Sequence, residues 1–344
     1  SYATIERSDA LKTRKVVEAC GHMRNQMISH FRDIHVHAAT IQHWNQDYSQ
    51  LTAGSAESSL TQLATSSCHV FLEQINQRVV QSGEAPRDKM CFALPTLVPG
   101  SIRMQGRDVV DSSLFFLEGG EEFMFHMPQG MELLSIAIDR ELFEASLEQV
   151  ASAKELRQLL RQPVIRVLPQ RYMQARSRLL KAFSAVLAHE DLASLPVCHA
   201  ALEQTMLDEL LQLMIDPACD KQQRSTTSTR SYIVEKCHRT ALNEMSEAPS
   251  VIELCQRLQV SRRTLQNSFQ AVAETTPLNY LRSMRLNGVR RTLMSTRTAE
   301  LSIGDAAARW GFYHLSHFAA EYHELFAELP SQTQRATLAI RKRA

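Results

Sequence analysis

The seven cysteines include no C-x-x-C pair, and their number is odd. That argues against both a disulfide framework and a cysteine zinc site, and it fits a reducing compartment. Cys237 and Cys255 fall on apolar helix faces and read as small core residues. No run of about 18 consecutive apolar residues occurs, and the first residues lack the apolar stretch of a signal peptide. A soluble cytoplasmic protein without a membrane partner is expected. The sequence also lacks a phosphate-cradling glycine loop, a nucleophile elbow and a paired-carboxylate site, so no enzymatic role and no cofactor are expected.

Charge of one sign is missing overall, since 38 Lys+Arg stand against 37 Asp+Glu, a net +1. The two ends differ, however. Residues 226–344 hold 16 Lys+Arg against 10 Asp+Glu, a balance of +6, and the remainder holds 22 against 27, a balance of −5. A basic C-terminal portion attracts phosphate, and an acidic N-terminal portion is a poor partner for DNA.

What the chain does contain is a repeat. In one copy the apolar positions are Val251, Leu254, Cys255, Leu258 and Val260, then Leu265, Phe269 and Val272, then Pro277. In the other they are Ile303, Ala306, Ala307, Trp310 and Phe312, then Phe318, Tyr322 and Leu325, then Pro330. The first five offsets are identical, and the rest match after one extra residue in the turn. Each copy reads as two short helices joined by a tight turn, with Ser261 as an N-cap in the first. Such a helix-turn-helix places its second helix in the DNA major groove. The expected cores are Leu254, Leu258, Leu265 and Phe269 in the first unit, and Trp310, Phe312, Phe318 and Tyr322 in the second.

The outer face of the first reading helix carries Arg262, Arg263, Gln266, Asn267 and Gln270. Arg can bond guanine in a bidentate fashion, and Gln and Asn can do so with adenine. The second reading helix offers His314, Leu315, Ser316 and His317, with no arginine or glutamine, so weaker base discrimination is expected there. Base reading is assigned to Arg262, Arg263, Gln266, Asn267, His314, Ser316 and His317. A helix over 277–294 joins the units, with Thr276 as N-cap and Pro277 at the first position. Tyr280, Leu281, Met284, Val289 and Leu293 form its apolar side, and Arg282, Arg285, Arg290 and Arg291 are expected to meet DNA phosphate.

The runs VSRRTLQNSF, RLNGVRRTLM and DAAARWGFYHLSHFAAEYHELFAELPS resemble the DNA-binding domain of the AraC/XylS family of bacterial transcription regulators, over roughly the last 115 residues. With VIELCQRLQVSRRTLQNSF, the wider chain looks most similar to the branch containing the ethanolamine-utilisation operon regulator. The resemblance implies an α+β protein with a cupin-like β-barrel sensor, a helical hairpin that contacts a second copy, and an all-α double helix-turn-helix domain.

The N-terminal half carries a weaker pattern. Strands are expected at Cys68 to Leu72, Gln77 to Val80, Met90 to Leu94, Leu114 to Leu117, Glu122 to Met127 and Leu133 to Ile138, making a small barrel or sandwich. Two amphipathic helices follow, at Gln170 to Glu190 and Val197 to Ile215. Trp44, Phe92, Phe115, Phe123 and Phe125 are candidates to line a pocket inside the barrel, although the effector-binding residues themselves stay unassigned. His35-x-His37 would put both imidazoles on one face of a strand, but no Glu follows within five residues and no metal site is assigned. The polar stretch DPACDKQQRSTTSTR reads as a linker.

The expected organisation is therefore 1–215 for effector sensing and dimerisation, 216–230 as linker, and 231–344 for DNA binding, with helix-turn-helix motifs at 251–273 and 303–326. The expected function is a sequence-specific transcription regulator, an activator responding to a small-molecule effector. Its partners would be promoter DNA, RNA polymerase and a second copy of the chain. Two other readings stay open: a cupin-type metalloenzyme fused to a DNA-targeting domain, and a ligand-independent regulator.

Overall fold

A computed structural model describes residues 28–338, apart from 101, 105–106, 110–111, 153, 155–163, 189–194, 217–228 and 248. Most of the expected linker and residues 1–27 of the sensor region lie outside the described residues. Among the described residues, β1 (Ile28–Phe31), β3 (Ser58–Ala64), β4 (Cys68–Ile75), β6 (Lys89–Leu97), β9 (Ser113–Glu118), β11 (Glu132–Asp139) and β12 (Val164–Arg166) form one sheet. Its order is β1-β3-β4-β11-β6-β9-β12. A second sheet contains β2 (Asn45–Gln50), β5 (Val79–Glu84), β7 (Ile102–Met104), β8 (Arg107–Val109) and β10 (Glu122–Met127), in the order β2-β5-β10-β7-β8.

The two sheets face each other, but among the described residues their pairing closes no barrel. The strands form a pair of packed sheets, the sandwich rather than the closed barrel of the two arrangements their pattern allowed, and β2 ends the smaller sheet. Strand β11 shows why the sheet interior reads as nearly continuous hydrophobics. Its Leu134, Ile136 and Ile138 face one core and its Leu133 and Ala137 the other, because a sheet buried on both sides has no solvent face to mark with polar residues.

Between the sheets the expected pocket aromatics are packed against one another. Phe115 meets Phe125 with ring centroids 5.4 Å apart, and Trp44 contacts Phe71 at 6.0 Å and Phe123 at 5.8 Å. Phe92 lies on the opposite side of the larger sheet, against Phe116 and Phe143. The inter-sheet core also holds a buried polar network around Glu73. Its Oε2 pairs with His37 Nε2 at 3.0 Å and accepts from Tyr48 Oη at 3.0 Å, and its Oε1 accepts from Gln81 Nε2 at 3.2 Å. His37 lies on α1 (Ile34–Thr40), a helix N-capped by Asp33. On a helix, residues two apart diverge, so His35 and His37 do not share a face.

Helices α2 (Arg140–Glu148), α3 (Pro169–Leu187) and α4 (Pro196–Ile215) cover the outer face of the larger sheet. Tyr172 Oη anchors α3 by donating to Pro95 O at 2.7 Å. The C-terminal helices are α5 (Thr229–Asn243), α6 (Val251–Leu258), α7 (Arg262–Ala273), α8 (Pro277–Ser295), α9 (Ile303–Arg309) and α10 (Leu315–Phe326). Helix α8 serves two separate cores. Tyr280, Leu281 and Met284 pack with α5 and α7, whereas Leu286, Val289 and Leu293 pack with α9 and α10. Val80, Leu51 and Met124 from the outer side of the smaller sheet join the first of these cores, so the C-terminal helices lie directly on that sheet.

One glycine lets α8 and α9 approach. A Cβ on Gly288 would sit 2.4 Å from the Trp310 ring. Gly288→Ala removes an unfavourable helix residue, a gain of about 1 kcal/mol, but it overpacks a buried aromatic contact at a cost of about 1–3 kcal/mol. The variant should therefore unfold at lower denaturant concentration than the wild type, despite its better helix propensity. A midpoint raised by the full propensity gain would contradict the packing.

Candidate nucleic-acid interface and the contact behind it

Local sequence builds the first reading unit. Ser250 and Glu253 form a reciprocal cap on α6, with Glu253 N donating to Ser250 Oγ at 3.2 Å and Ser250 N donating to Glu253 Oε2 at 2.7 Å. Gln259 then turns the chain in the left-handed region at φ 51°, and Ser261 Oγ accepts from Thr264 N at 3.0 Å to start α7. The apolar stripe of α7 is spent inward, since Leu265, Phe269 and Val272 are buried. Arg262, Arg263, Gln266, Asn267 and Gln270 are consequently all exposed. The donors and acceptors that can discriminate base edges occupy one open helix face.

The second unit solves the same turn differently. Ser302 caps α9 by accepting from Asp305 N at 3.0 Å, and Gly311 at φ 77° supplies the extra turn residue. His314 occupies the N-cap position of α10 without a side-chain cap bond. It is exposed together with Ser316, His317, Leu315 and Tyr313. Tyr313, absent from the expected set, is the most open aromatic here at 67 % exposure and donates to Ser246 O at 3.3 Å. Nothing in its apolar spacing separates it from a turn residue. Of the expected core positions, Leu254, Leu265, Phe269, Trp310, Phe312, Phe318 and Tyr322 are buried and Leu258 is half-buried.

The four arginines of α8 do not form an open phosphate-facing row. Arg282 is half-exposed and pairs with Glu321 of α10 at 3.3 Å. Arg285 lies over the Phe312 ring at 4.9 Å from its centroid, and burial lowers its pKa. Arg290 is only 7 % exposed. Its Nε donates to Asp33 Oδ2 at 2.6 Å, and its Nη1 to Glu328 Oε1 at 2.6 Å and Tyr322 Oη at 3.1 Å, while its guanidinium stacks 4.6 Å from the Phe326 centroid. Arg291 Nη1 donates to Tyr48 O at 3.3 Å and Ser49 Oγ at 3.1 Å. In this arrangement Arg290 and Arg291 bind the N-terminal region, which corrects their placement on an open face.

They belong to a larger contact. Asn287, fully buried, accepts from Gln50 N at 2.9 Å and donates to Gln50 O at 2.8 Å and Ser283 O at 2.7 Å. Its carboxamide carries the same donor and acceptor as a peptide group, so it pairs with the free edge of β2 as a neighbouring strand would. Gln50 Nε2 reaches Leu325 O at 2.7 Å, and Gly54 N reaches the same carbonyl at 3.1 Å. Tyr280 Oη bridges His126 of β10, at 3.2 Å, and His238 of α5, at 2.8 Å. Arg78 pairs with Glu274, and Arg239 with Glu122 at 2.8 Å.

Burial sets the protonation of this contact. Desolvation is the main cause that pushes His35 and His238 down to about 3, and the Arg291 charge adds to it in both. Burial alone would raise the Asp33 carboxyl, but His35 and Arg290 outweigh it and hold Asp33 below its usual value. Among the described residues no group of three or more His, Cys, Asp or Glu side chains could hold a metal ion, and no described helix is long and apolar enough to cross a membrane.

With the geometry in view, comparison with known proteins places the C-terminal portion. Residues 254–336 match the family model of a helix-turn-helix domain. The chain is 40 % identical over 86 residues to the XylDLEGF operon transcriptional activator of Pseudomonas putida, covering 25 % of this chain and 27 % of that protein. It is 32 % identical over 123 residues to the HTH-type transcriptional regulator CdhR of Pseudomonas aeruginosa, 35 % of each chain. The AraC-like transcriptional activator CuxR aligns in its crystal structure with a TM-score of 0.40 and 15 % identity, over 83 % of this chain and 99 % of that one. The C-terminal portion is thus a helix-turn-helix domain over residues 254–336. The chain spans about a quarter of the length of the first such relatives.

Two outcomes follow from the contact. Arg290→Met leaves Asp33 and Glu328 without their shared cation and should lower stability by about 3–5 kcal/mol in denaturant titration, with the salt dependence of DNA binding unchanged. Intact stability with a salt slope reduced by about 1 would instead mark a phosphate contact. For pH, the unfolded chain protonates His35 and His238 near 6.5 and the folded chain does not, so it binds more protons and stability falls as pH drops from about 7 toward 3. Between pH 6.5 and 5 each such histidine should cost about 2 kcal/mol. The loss should shrink by that amount in His35→Leu, and an equal loss in variant and wild type would refute the neutral buried imidazole.

Proposed function

We propose that this chain is a sequence-specific DNA-binding transcription regulator that activates transcription in response to a small-molecule effector. The observation that carries the reading is the pair of helix-turn-helix units on one shared helix, each with its apolar stripe buried and a polar face open. Base reading falls to Arg262, Arg263, Gln266 and Asn267 in the first unit and to His314, Ser316 and His317 in the second. Arg282, half-exposed and tied only to the C-terminal helices, is the α8 arginine assigned to phosphate in this reading. The names of the relatives support activation, which would bring RNA polymerase as a partner.

The described N-terminal sheets and helices form the sensing portion in this reading, with α3 and α4 as the surface for a second copy of the chain. The resemblance to the ethanolamine-utilisation branch rests on residues of the DNA-reading half, so it supports the class of regulator and assigns no effector.

The test is competitive binding to promoter DNA and to single-base variants of its site. Arg263→Ala and Gln266→Ala should each cost about 1–3 kcal/mol of selectivity at one position, with His317→Ala costing less. The reverse order would overturn the assignment of the first unit as the stronger reader, and selectivity untouched by all three would overturn base reading by these helices.

A further inference from the structure

A cleft of about 830 Å³ opens between the smaller sheet and the C-terminal helices, within the size range of small-molecule sites. One wall comes from α1, β2, β5 and β10, and the other from α5, α8 and Trp310. The space between the two sheets, where an effector pocket was expected, is instead occupied by packed aromatics and the Glu73 network.

Two imidazoles on the cleft lining are almost completely buried and incompletely bonded. Among the described residues His35 has no hydrogen-bond partner at either ring nitrogen, and His238 has none at Nε2. A buried polar atom without a partner is unfavourable, and packing of the protein against itself does not supply one here. The remaining lining combines apolar surface from Phe123, Leu242, Met245 and Trp310 with an excess of acid, Asp47, Glu84, Glu122 and Glu235 against Arg239 and Arg291.

Charge narrows the occupant. The lining carries two more carboxylates than guanidinium groups, which disfavours an anion. Both imidazoles are neutral, with Arg291 acting on each and Asp33 and Asp47 opposing it at His35, and an uncharged ring offers an ion of either sign no charge partner. A neutral imidazole offers one donor and one acceptor, and a hydroxyl or carboxamide can answer both.

We infer that this interdomain cleft binds a neutral amphipathic small molecule, with a hydroxyl or carboxamide end against His35 and His238 and an apolar part along Phe123, Leu242, Met245 and Trp310. Because its walls belong to both halves of the chain, such a molecule favours the docked arrangement over a separated one. The site thereby gives the chain an input that acts on the position of its DNA-reading units.

The test uses three probes that share one skeleton: 2-phenylethanol, phenylacetate and 2-phenylethylamine. Each is titrated into the full chain at pH 8 while the ¹⁵N signals of the histidine rings are followed, and no DNA is needed, so the outcome is separate from the reading of the helix-turn-helix units. The alcohol should shift the His35 and His238 signals saturably and bind at least about tenfold more tightly than either charged analogue. His35→Leu should weaken it about tenfold. Ala39→Phe, which fills the cleft from an exposed lining position and leaves both histidines in place, should do the same. Absence of a saturable shift, unchanged affinity in either variant, or tighter binding of a charged analogue would overturn the inference.

Discussion

The pairing of the Asn287 carboxamide with the backbone of Gln50 decides where the C-terminal half of this protein sits. Strand β2 ends its sheet, and an unpaired strand edge invites another chain. One buried side chain on α8 satisfies that edge with two hydrogen bonds, and the surrounding contacts depend on the resulting alignment. With Asn287 in place, Arg290 reaches Asp33, Arg291 reaches the Tyr48 carbonyl, and Tyr280 comes between His126 and His238. Helix α8 is therefore at once the spacer between two reading units and the element that docks them.

That double duty resolves the use of its arginines. A basic helix next to a DNA-binding motif suggests phosphate contacts, but a guanidinium buried among two carboxylates and two aromatic rings has its charge already matched. On the reading helices the guanidinium groups left open to DNA are Arg262 and Arg263 of α7. The two units are equal as folds and unequal as readers, since one presents arginine and amides and the other imidazoles and a hydroxyl.

Much of this was legible in the sequence, and the division is physical. The helix-turn-helix units are local objects, and their apolar spacing and serine caps lie within about two dozen consecutive residues. Helices 251–258, 262–273, 303–309 and 315–326 accordingly fall where the repeat places them. Strands such as Glu122–Met127 were marked by hydrophobic runs between turn residues. The arrangement of those strands into two sheets depends on long-range pairing that no local pattern encodes, so the hydrophobic runs and turns left a small barrel and a sandwich equally open. The spacing of His35 and His37 fits one face of a strand, but a seven-residue helix and a short strand look alike at that length, and the helix separates them. The docking surface was invisible for another reason. Beside the apolar contact of Val80, Leu51 and Met124, it is aligned by polar residues, Asn287, Arg290, Arg291 and Gln50, and a polar residue on a helix face reads equally well as facing water, DNA or another domain.

Amide hydrogen exchange at Gln50 tests the docking of α8 onto β2 most directly. Its N–H lies on the sheet edge and donates to Asn287 Oδ1, so the amide should be strongly protected in the wild-type chain and lose that protection in Asn287→Ala, while the amides of β11, at the centre of the larger sheet, stay protected. Rapid exchange at Gln50 in the wild type, or protection there that survives Asn287→Ala, would contradict the docked arrangement.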